Sequence, residues 1–499
     1  MILLKNGRVV DGSLKEPYLA DILIKGDRIA AIGSIPREKA DTVIDCMGIA
    51  CVTPGIIDIQ TNSDHYLTLF THPDQSDFVH QGVTTIIGGH CGASLAPLLT
   101  GSLESIRKWG DPDSLNVDWH SLKEFFRVLK RRPLGVNFGT LVGHATIRRA
   151  LTRNENRNLS RQKLKLFRTL LEEGLEEGAF GLSTGLGYSE SARTPYDELK
   201  ALVKAIKSAG GIYATHLRNE TEHLKKSYEE TEKIADETGA RVMIEHLQPL
   251  RGYEEQFQTV LERIGARKEE DLWFTISPFD TSVIPMYMLL PEWAKRGGFE
   301  DMLRAMRMLR NEKRILEAWK DLETDDMTIV KAPHHTFLTG KTIAEVAKSR
   351  DEKPARTLLD LMKITRMRAL ILMKNATSAR IEEALVHPRA IPASQSAAFP
   401  QKSPAMARLP HATQTFSHFL TVAQSKGIPF ERAIERITSL PARLMGIRSR
   451  GEIKKGNFAD LVIWKDAAVS TVIVNGVATL SEGKITGAHP GYALRKNDE

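Results

Sequence analysis

Three side chains that can bind a metal ion stand at the ends of short apolar runs typical of buried β-strands. Cys91 follows the run in IIGGHCGAS, His216 ends the run in YATHL, and His246 follows the run in RVMIEHL. One thiolate and two imidazoles form a known ligand set for catalytic zinc, which leaves a fourth coordination position open for water. Each residue also has an ordinary alternative, because free cysteines often pack as small apolar groups and histidines often serve as buried polar residues. Their common position at strand ends favours one shared zinc site.

The segments around these residues alternate between strand-like and helical patterns. Apolar runs such as VTTIIGG and GAFGLSTG are separated by helical stretches such as RQKLKLFRTLLEEGLEEG. This alternation predicts an α/β protein with a parallel sheet, and the number of repeats favours a closed β/α barrel over a short doubly wound sheet. Functional residues of such barrels lie at the C-terminal ends of the strands. The predicted zinc ligands stand at such ends.

The two ends of the chain show a different pattern, in which apolar and polar residues alternate in short runs joined by glycine-containing turns. Residues 1–53 and 452–490 share this pattern, and each segment is too short to bury a core alone. We therefore predict a small β-sandwich built from both chain ends and a β/α barrel at residues 54–451. Residues 285–350 are charged and helical in pattern, which predicts an inserted helical segment or lid within the barrel.

The composition argues against several classes of protein. The chain has 499 residues, three cysteines, and a net charge of +7 from 69 basic and 62 acidic residues. The basic residues are dispersed rather than grouped with aromatic residues, which argues against nucleic-acid binding. No apolar run approaches the roughly 20 residues that cross a membrane, and the N-terminus lacks the order of a secretory signal. Because an odd number of cysteines fits a reducing compartment, we expect a cytoplasmic protein.

The sequence resembles the N-acyl-D-amino-acid deacylase (D-aminoacylase) family of the amidohydrolase superfamily along nearly its whole length. The resemblance implies a metal-dependent-hydrolase type β/α (TIM-like) barrel with a small β-sandwich. It also implies hydrolysis of a linear C–N amide bond and a tightly held zinc ion on Cys91, His216 and His246. The motifs that carry the resemblance by their order and spacing are PGIID at 54–58, GHCGASLAPL from 89, VGHATIRRA from 142, FGLSTGLGY from 180, THLRNE from 215, EHL from 245, LLPEWAKRGG from 289, TSLPARLMGIRSRGEIKKGNFADLVIW from 438 and VIVNGVATLSEGKITGAHPGYALR from 472.

Four positions depart from the pattern of the family. A second, weaker metal position in the family uses a His-x-His pair and an aspartate that is also the general base, and these align with Gln60, Asn62 and Gln395. A family lysine associated with the substrate carboxylate aligns with Gln248. Because a carboxamide binds zinc weakly and cannot accept a proton, we expect one zinc ion per chain and no general base at Gln395.

The favoured hypothesis is a zinc-dependent amidohydrolase with a mononuclear site that acts on a small acylated amino acid or a related amide. Arg218, Tyr188 and Gln248 are candidate substrate contacts, although Arg218 could form a structural salt bridge and Tyr188 could simply pack. The alternative is a catalytically impaired relative that binds a small ligand or a partner protein. Neither hypothesis involves nucleic acid or a membrane, and no oligomeric state follows. Other side chains that could replace the missing base are His90, Asp64, Asp280, His334 and His335.

Overall fold

The chain folds into a β/α barrel, a sheet made from both chain ends, and a small antiparallel sheet inserted between two barrel strands. The computed structural model describes residues 1–100, 102–153, 157–295, 297–400 and 406–496. Its strands are β1 (Ile2–Val9), β2 (Tyr18–Lys25), β3 (Arg28–Gly33), β4 (Thr42–Asp45), β5 (Cys51–Pro54), β6 (Ile56–Asp58), β7 (Val83–Gly88), β8 (Asn137–Thr140), β9 (Val142–Gly143), β10 (Gly181–Gly185), β11 (Ile212–His216), β12 (Arg241–Ile244), β13 (Leu272–Ile276), β14 (Ser282–Pro285), β15 (Met327–Lys331), β16 (Leu370–Met373), β17 (Ala390–Pro392), β18 (Leu461–Lys465), β19 (Ala468–Val474), β20 (Val477–Ser481) and β21 (Lys484–Ile485).

The helices cover the outside of the barrel and build much of the insertion. Local sequence signals start several of them, as in the helix that follows Ser121, where Ser121 Oγ accepts from Glu124 N at 3.2 Å and Glu124 Oε2 accepts from Ser121 N at 3.2 Å. Within the described residues, no helix combines the length and apolar character that crossing a membrane requires. The helices are α1 (Thr68–Thr71), α2 (Ser76–Val79), α3 (Leu122–Arg131), α4 (His144–Thr152), α5 (Arg161–Glu176), α6 (Tyr196–Ser208), α7 (Leu224–Thr238), α8 (Glu254–Ala266), α9 (Phe299–Arg307), α10 (Leu309–Ala318), α11 (Ile343–Ser349), α12 (Pro354–Ile364), α13 (Ser378–Leu385), α14 (Pro410–Ser425), α15 (Phe430–Ile437) and α16 (Ser439–Met445).

The barrel consists of two groups of parallel strands that meet at two seams. One group has the order β6-β7-β8 and the other the order β17-β13-β12-β11-β10-β9. At the first seam only Leu141 separates β8 from β9, and Leu141 N donates to Gly88 O at 3.0 Å. At the second seam, just beyond β6 and β17, Gln395 N donates to Gln60 O at 2.9 Å. These contacts close the sheet, so the predicted β/α barrel is confirmed.

The inside of the barrel is filled by apolar side chains from every part of the sheet. They alternate with residues that face the surrounding helices, as the two-residue period of a strand requires. This packed interior confines solvent and ligands to the barrel mouth, where the strands end. The filling side chains include Ile57, Ile87, Leu141, Phe180, Ile212, Met243 and Ile391.

The two chain ends share one sheet, in which β18 pairs with β5 in antiparallel fashion. On one edge, β1 pairs with β4 through its first half and with β5 through its second half, so the sheet divides there into two layers. Buried residues from both ends, including Leu4, Ile22, Ile463 and Ile473, form one core cluster between the strands. The predicted β-sandwich from both chain ends is therefore confirmed. The residue boundaries that we assigned to it and to the barrel stay a prediction.

The insertion between β13 and β17 differs from the helical segment that the sequence pattern indicated at residues 285–350. It contains α9, α10 and α11, but also β15, which pairs in antiparallel fashion with β16 beyond residue 350. The third strand, β14, pairs with the other edge of β16. A strand as short as β15 among charged helices has no distinctive period, and its partner is distant in the sequence, so the pattern did not reveal it.

Candidate active site

The three predicted zinc ligands meet at the mouth of the barrel. Cys91 follows β7, His216 is the last residue of β11, and His246 follows the neighbouring strand β12. One ligand atom from each residue lies within 4.8 Å of the other two. His246 Nε2 is 3.5 Å from Cys91 Sγ, and the rings of His216 and His246 are 4.3 Å apart at 88°. Among the described residues, this is the one cluster of three or more potential metal ligands.

The backbone at this cluster adopts a conformation that most residues avoid. Cys91 has φ +51°, His246 has φ +41°, and Gln395, which we aligned with the family's general base, has φ +54°. Left-handed conformations in residues other than glycine cost free energy and often mark functional sites. Each of the three turns its backbone sharply where a strand ends, which is how the side chains come to face one cavity.

Two glycines of the GLSTGLG motif make room for the ligand residues. A Cβ atom on Gly187 would lie 2.5 Å from His216 Nε2, and one on Gly185 would lie 2.2 Å from Cys91 O. Both distances are far below van der Waals contact, so a side chain at either position would displace a ligand residue. The sequence contains this glycine-rich motif, but only the structure shows why a side chain at these two positions would not fit.

A buried ion pair fixes the segment that carries Cys91. His90 Nδ1 is 2.7 Å from Glu245 Oε1, and Cys91 N donates to Glu245 Oε2 at 3.0 Å. Burial lowers the pKa of His90, but the facing carboxylate more than offsets this effect and the pKa of His90 is raised. His90 therefore joins the end of β7 to the end of β12 through Glu245, and this buried contact makes it a poor candidate for the missing base.

Glu220, which our sequence analysis did not single out, lies against both histidines. Its Oε1 atom is 3.1 Å from His246 Nδ1 and its Oε2 atom is 3.5 Å from His216 Nε2. Burial raises the pKa of Glu220, but the two imidazoles more than offset it and hold that pKa well below its usual range. His246 thus faces Cys91 with one ring nitrogen and Glu220 with the other, which is the arrangement of a carboxylate that orients a metal-binding histidine.

The thiol of Cys91 lies in a field that favours its ionised form. Burial and the nearby Glu245 raise the pKa of Cys91, but His246 and His216 more than offset both and the pKa of the thiol is lowered. A thiolate is the form in which cysteine binds metal ions. The lowered pKa of Cys91 and its position beside two histidines therefore both favour metal binding at this residue.

We expect Glu220→Gln to weaken metal binding by about tenfold to a hundredfold, the usual cost of removing an outer partner of a ligand histidine. The amide keeps the size of the side chain but loses the charge that orients His246. The measurement is the metal dissociation constant from competition with a chelator. Glu222→Gln is the matched control, because Glu222 is exposed and its ion pair is with the exposed His223 rather than with a predicted ligand. Equal affinity in the two variants would show that Glu220 does not support the cluster.

A cavity of about 140 Å³ opens beside the metal-ligand cluster. Its wall includes Tyr188, whose ring packs edge-on against His216 at 4.7 Å, and residues of the insertion such as Ile284 and Met288. Five carboxamide side chains also line it. They are Gln60, Asn62, Gln248, Asn375 and Gln395.

The residues at the family's second metal position adjoin one another in this cavity. Gln395 O accepts from Asn62 Nδ2 at 2.8 Å, and Gln60 Oε1 accepts from Thr275 Oγ1. The Asn62 side chain thus binds the Gln395 backbone, the Gln60 side chain binds strand β13, and Gln395 Nε2 is buried without a partner among the described residues. The residues that we aligned with the family's second metal position are therefore neighbouring carboxamides, and carboxamides are weak ligands for zinc.

The remaining sequence candidates do not line the described cavity. Arg218 binds Glu230 through two hydrogen bonds of 3.0 and 2.9 Å and donates to two backbone carbonyl groups. A structural salt bridge therefore describes Arg218 better than a substrate contact does. Asp64 is buried and accepts from Gly89 N at 2.6 Å. Asp280 accepts from Ser378 Oγ at 2.8 Å. His334 and His335 follow β15 in the insertion.

Comparisons with known proteins agree with this architecture. The amidohydrolase family profile matches residues 395–479. A D-aminoacylase from Alcaligenes xylosoxydans xylosoxydans is 28% identical, with 99% of this chain and 97% of that protein covered. An N-acyl-D-aspartate deacylase from the same organism is 29% identical, with 99% and 95% covered. A solved D-aminoacylase, described as having a binuclear metal centre with one-metal activation and second-metal attenuation, has a TM-score of 0.80 at 25% identity and 99% coverage of both chains.

A closed β/α barrel with three potential metal ligands at its mouth and a sandwich from both chain ends is the architecture of the amidohydrolase fold. The full-length similarity narrows the class further. This chain is similar over its full length to N-acyl-D-amino-acid deacylases (D-aminoacylases) of the amidohydrolase superfamily. The similarity and the ligand cluster together support a metal cofactor.

Proposed function

We propose that this protein is a zinc-dependent hydrolase of a linear amide bond, with one metal ion held by Cys91, His216 and His246. The observation that carries the proposal is the convergence of these three ligand atoms within 4.8 Å beside a cavity. A thiolate with two imidazoles suits zinc better than it suits the hard cations magnesium or calcium. Zinc in such a three-ligand site supplies Lewis-acid activation of a carbonyl group.

A single metal ion follows from the carboxamides at the family's second metal position. Gln60, Asn62 and Gln395 are neutral, and the hydrogen bonds of Asn62 and Gln60 go to the Gln395 backbone and to Thr275 of the barrel. The related D-aminoacylase described by one-metal activation supports the view that one ion suffices in this fold. In our proposal the substrate lies in the cavity between Tyr188 and the insertion.

We expect one zinc ion per chain, which elemental analysis of the purified protein measures. Cys91→Ser should lower the zinc content well below one, because a hydroxyl group is a much poorer zinc ligand than a thiolate. Cys51→Ser is the control, since Cys51 lies in β5 of the sandwich. Two zinc ions per chain, or full zinc content in Cys91→Ser, would contradict the proposed site.

A panel of N-acyl-D- and N-acyl-L-amino acids and their amides tests the reaction. Hydrolysis that a chelator abolishes and zinc restores would support the proposal. Full zinc content without hydrolysis of any compound would favour the alternative, a catalytically impaired relative that binds a small ligand or a partner.

We further propose that the protein acts in the cytoplasm. Its three cysteines are all free, and Cys46 and Cys91 are buried. Free cysteines without a disulfide framework are usual in reducing compartments.

A further inference from the structure

Gln248 presents only a hydrogen-bond acceptor to its surroundings. Its Nε2 group donates to Ser277 O at 3.3 Å, which fixes the orientation of the amide. Its Oε1 atom is buried and has no hydrogen-bond partner among the described residues. Gln248 is 7% exposed and lines the same cavity as the metal-ligand cluster. An unsatisfied buried acceptor is unfavourable, so a bound molecule that donates a hydrogen bond would be stabilised here.

Two other residues of the cavity wall have the same property. Asn375 Oδ1 is buried without a partner among the described residues. His411 Nε2 is 3.0 Å from Thr281 O, so this nitrogen carries the proton and His411 Nδ1 is an acceptor, also without a described partner. Burial lowers the pKa of His411 to about 4, so the ring is neutral near pH 7. Among the described residues, the wall therefore contains these three unsatisfied acceptors, and it also contains two unsatisfied donors, Trp109 Nε1 and Gln395 Nε2.

The charges around the cavity also disfavour an anionic group. Its described lining contains no lysine or arginine. Arg218, the cation nearest in the sequence to His216, is already bound to Glu230. A carboxylate only accepts hydrogen bonds, so one placed beside Gln248 Oε1 and Asn375 Oδ1 would face two acceptors and no lysine or arginine of the described lining.

We propose that the substrate is an uncharged N-acyl amino-acid amide, in which a carboxamide replaces the free carboxylate and donates an N–H group to Gln248 Oε1. This inference rests on the proposed amidohydrolase function and specifies its substrate class. The carboxamide satisfies an acceptor that a carboxylate would repel, and it needs no cation. Leu250, Ile284 and Met288 supply an apolar wall for the rest of the molecule.

Three derivatives of N-acetylleucine, each as D and L enantiomers, separate charge from hydrogen bonding. The carboxamide is neutral and donates, the methyl ester is neutral and only accepts, and the free acid is charged and only accepts. We expect kcat/KM to be highest for the carboxamide, with the ester and the acid each lower by on the order of tenfold to a hundredfold. Equal or higher kcat/KM for the free acid would overturn the proposal.

A substitution at the discriminating position gives a second test. Gln248→Lys should replace the acceptor by a cation and move the preference from the carboxamide towards the free acid by at least about tenfold. Gln162→Lys on the exposed side of α5 is the control and should leave the preference unchanged. An unchanged preference in Gln248→Lys would show that this residue does not select the substrate.

Binding without turnover separates failure of this inference from failure of the proposed function. Calorimetry compares the amines leucinamide and leucine, the expected products, on the zinc-loaded protein. Tighter binding of leucinamide with no hydrolysis of any derivative would refute the hydrolase and support the recognition proposed here. Hydrolysis with tighter binding of leucine would support the hydrolase and refute the recognition. Failure to bind or hydrolyse any of these compounds would refute the recognition as well.

Discussion

Gln395→Asp should raise kcat for amide hydrolysis by about 10² to 10⁴, the usual contribution of a general base. Gln395 lines the cavity beside the metal-ligand cluster, and its neutral amide cannot take a proton. Its φ of +54° is a conformation that aspartate tolerates better than most residues, so the substitution should not disturb the backbone. We accordingly expect the native chain to hydrolyse ordinary N-acetyl-D-amino acids slowly or not at all.

Gln395→Asn is the matched control, because it has the shape of aspartate without the ability to accept a proton. The measurement is kcat/KM for the native protein and both variants on one panel of N-acetyl-D-amino acids and their amides. Adding Gln60→His and Asn62→His to Gln395→Asp should create a second metal position, which elemental analysis would detect as two ions per chain. Native activity at the level of an efficient deacylase would contradict the argument and would mean that another residue acts as the base.

Arg450→Met should lower the free energy of unfolding by about 3–5 kcal/mol, because it leaves a buried carboxylate without its cation. The side chains of Arg450 and Asp460 are 2% and 4% exposed and form an ion pair. Asp460 also accepts from Asn137 Nδ2 at 3.1 Å and from Asn475 N at 2.8 Å. Since Asn137 begins β8, this network ties the barrel to the sheet from the chain ends.

Urea unfolding followed by circular dichroism measures the loss of stability. The free energy of the first unfolding transition is compared between the variants. Arg448→Met is the control, since Arg448 is exposed two residues away. The double variant Arg450→Met/Asp460→Asn should recover part of the loss, because it removes the uncompensated charge as well. Equal unfolding of the Arg450 and Arg448 variants would show that the ion pair does not join the two parts of the protein.

The sequence by itself predicted the barrel and the three potential metal ligands that the structure brings together. Cys91, His216 and His246 each stand where an apolar run ends, and in a parallel barrel all such ends lie on one face. The periodicity that defines strands and helices is local, so it can be read without knowing which strands pair. Comparison with the sequence pattern of the family then identified the positions that depart from it, which are Gln60, Asn62, Gln395 and Gln248.

Only the tertiary structure decided how these residues are supported. Glu220 contacts His246, and Ser277 O orients the amide of Gln248. Both contacts form where separate βα units meet, and the spacing of residues in the chain does not predict them. Arg218 has the right chemistry to bind the carboxylate of a substrate, but in the structure it forms an ion pair with the side chain of Glu230. Whether two groups form a hydrogen bond depends on differences of a few tenths of an ångström in the distance between elements. Such differences cannot be predicted from residue types and their order in the chain.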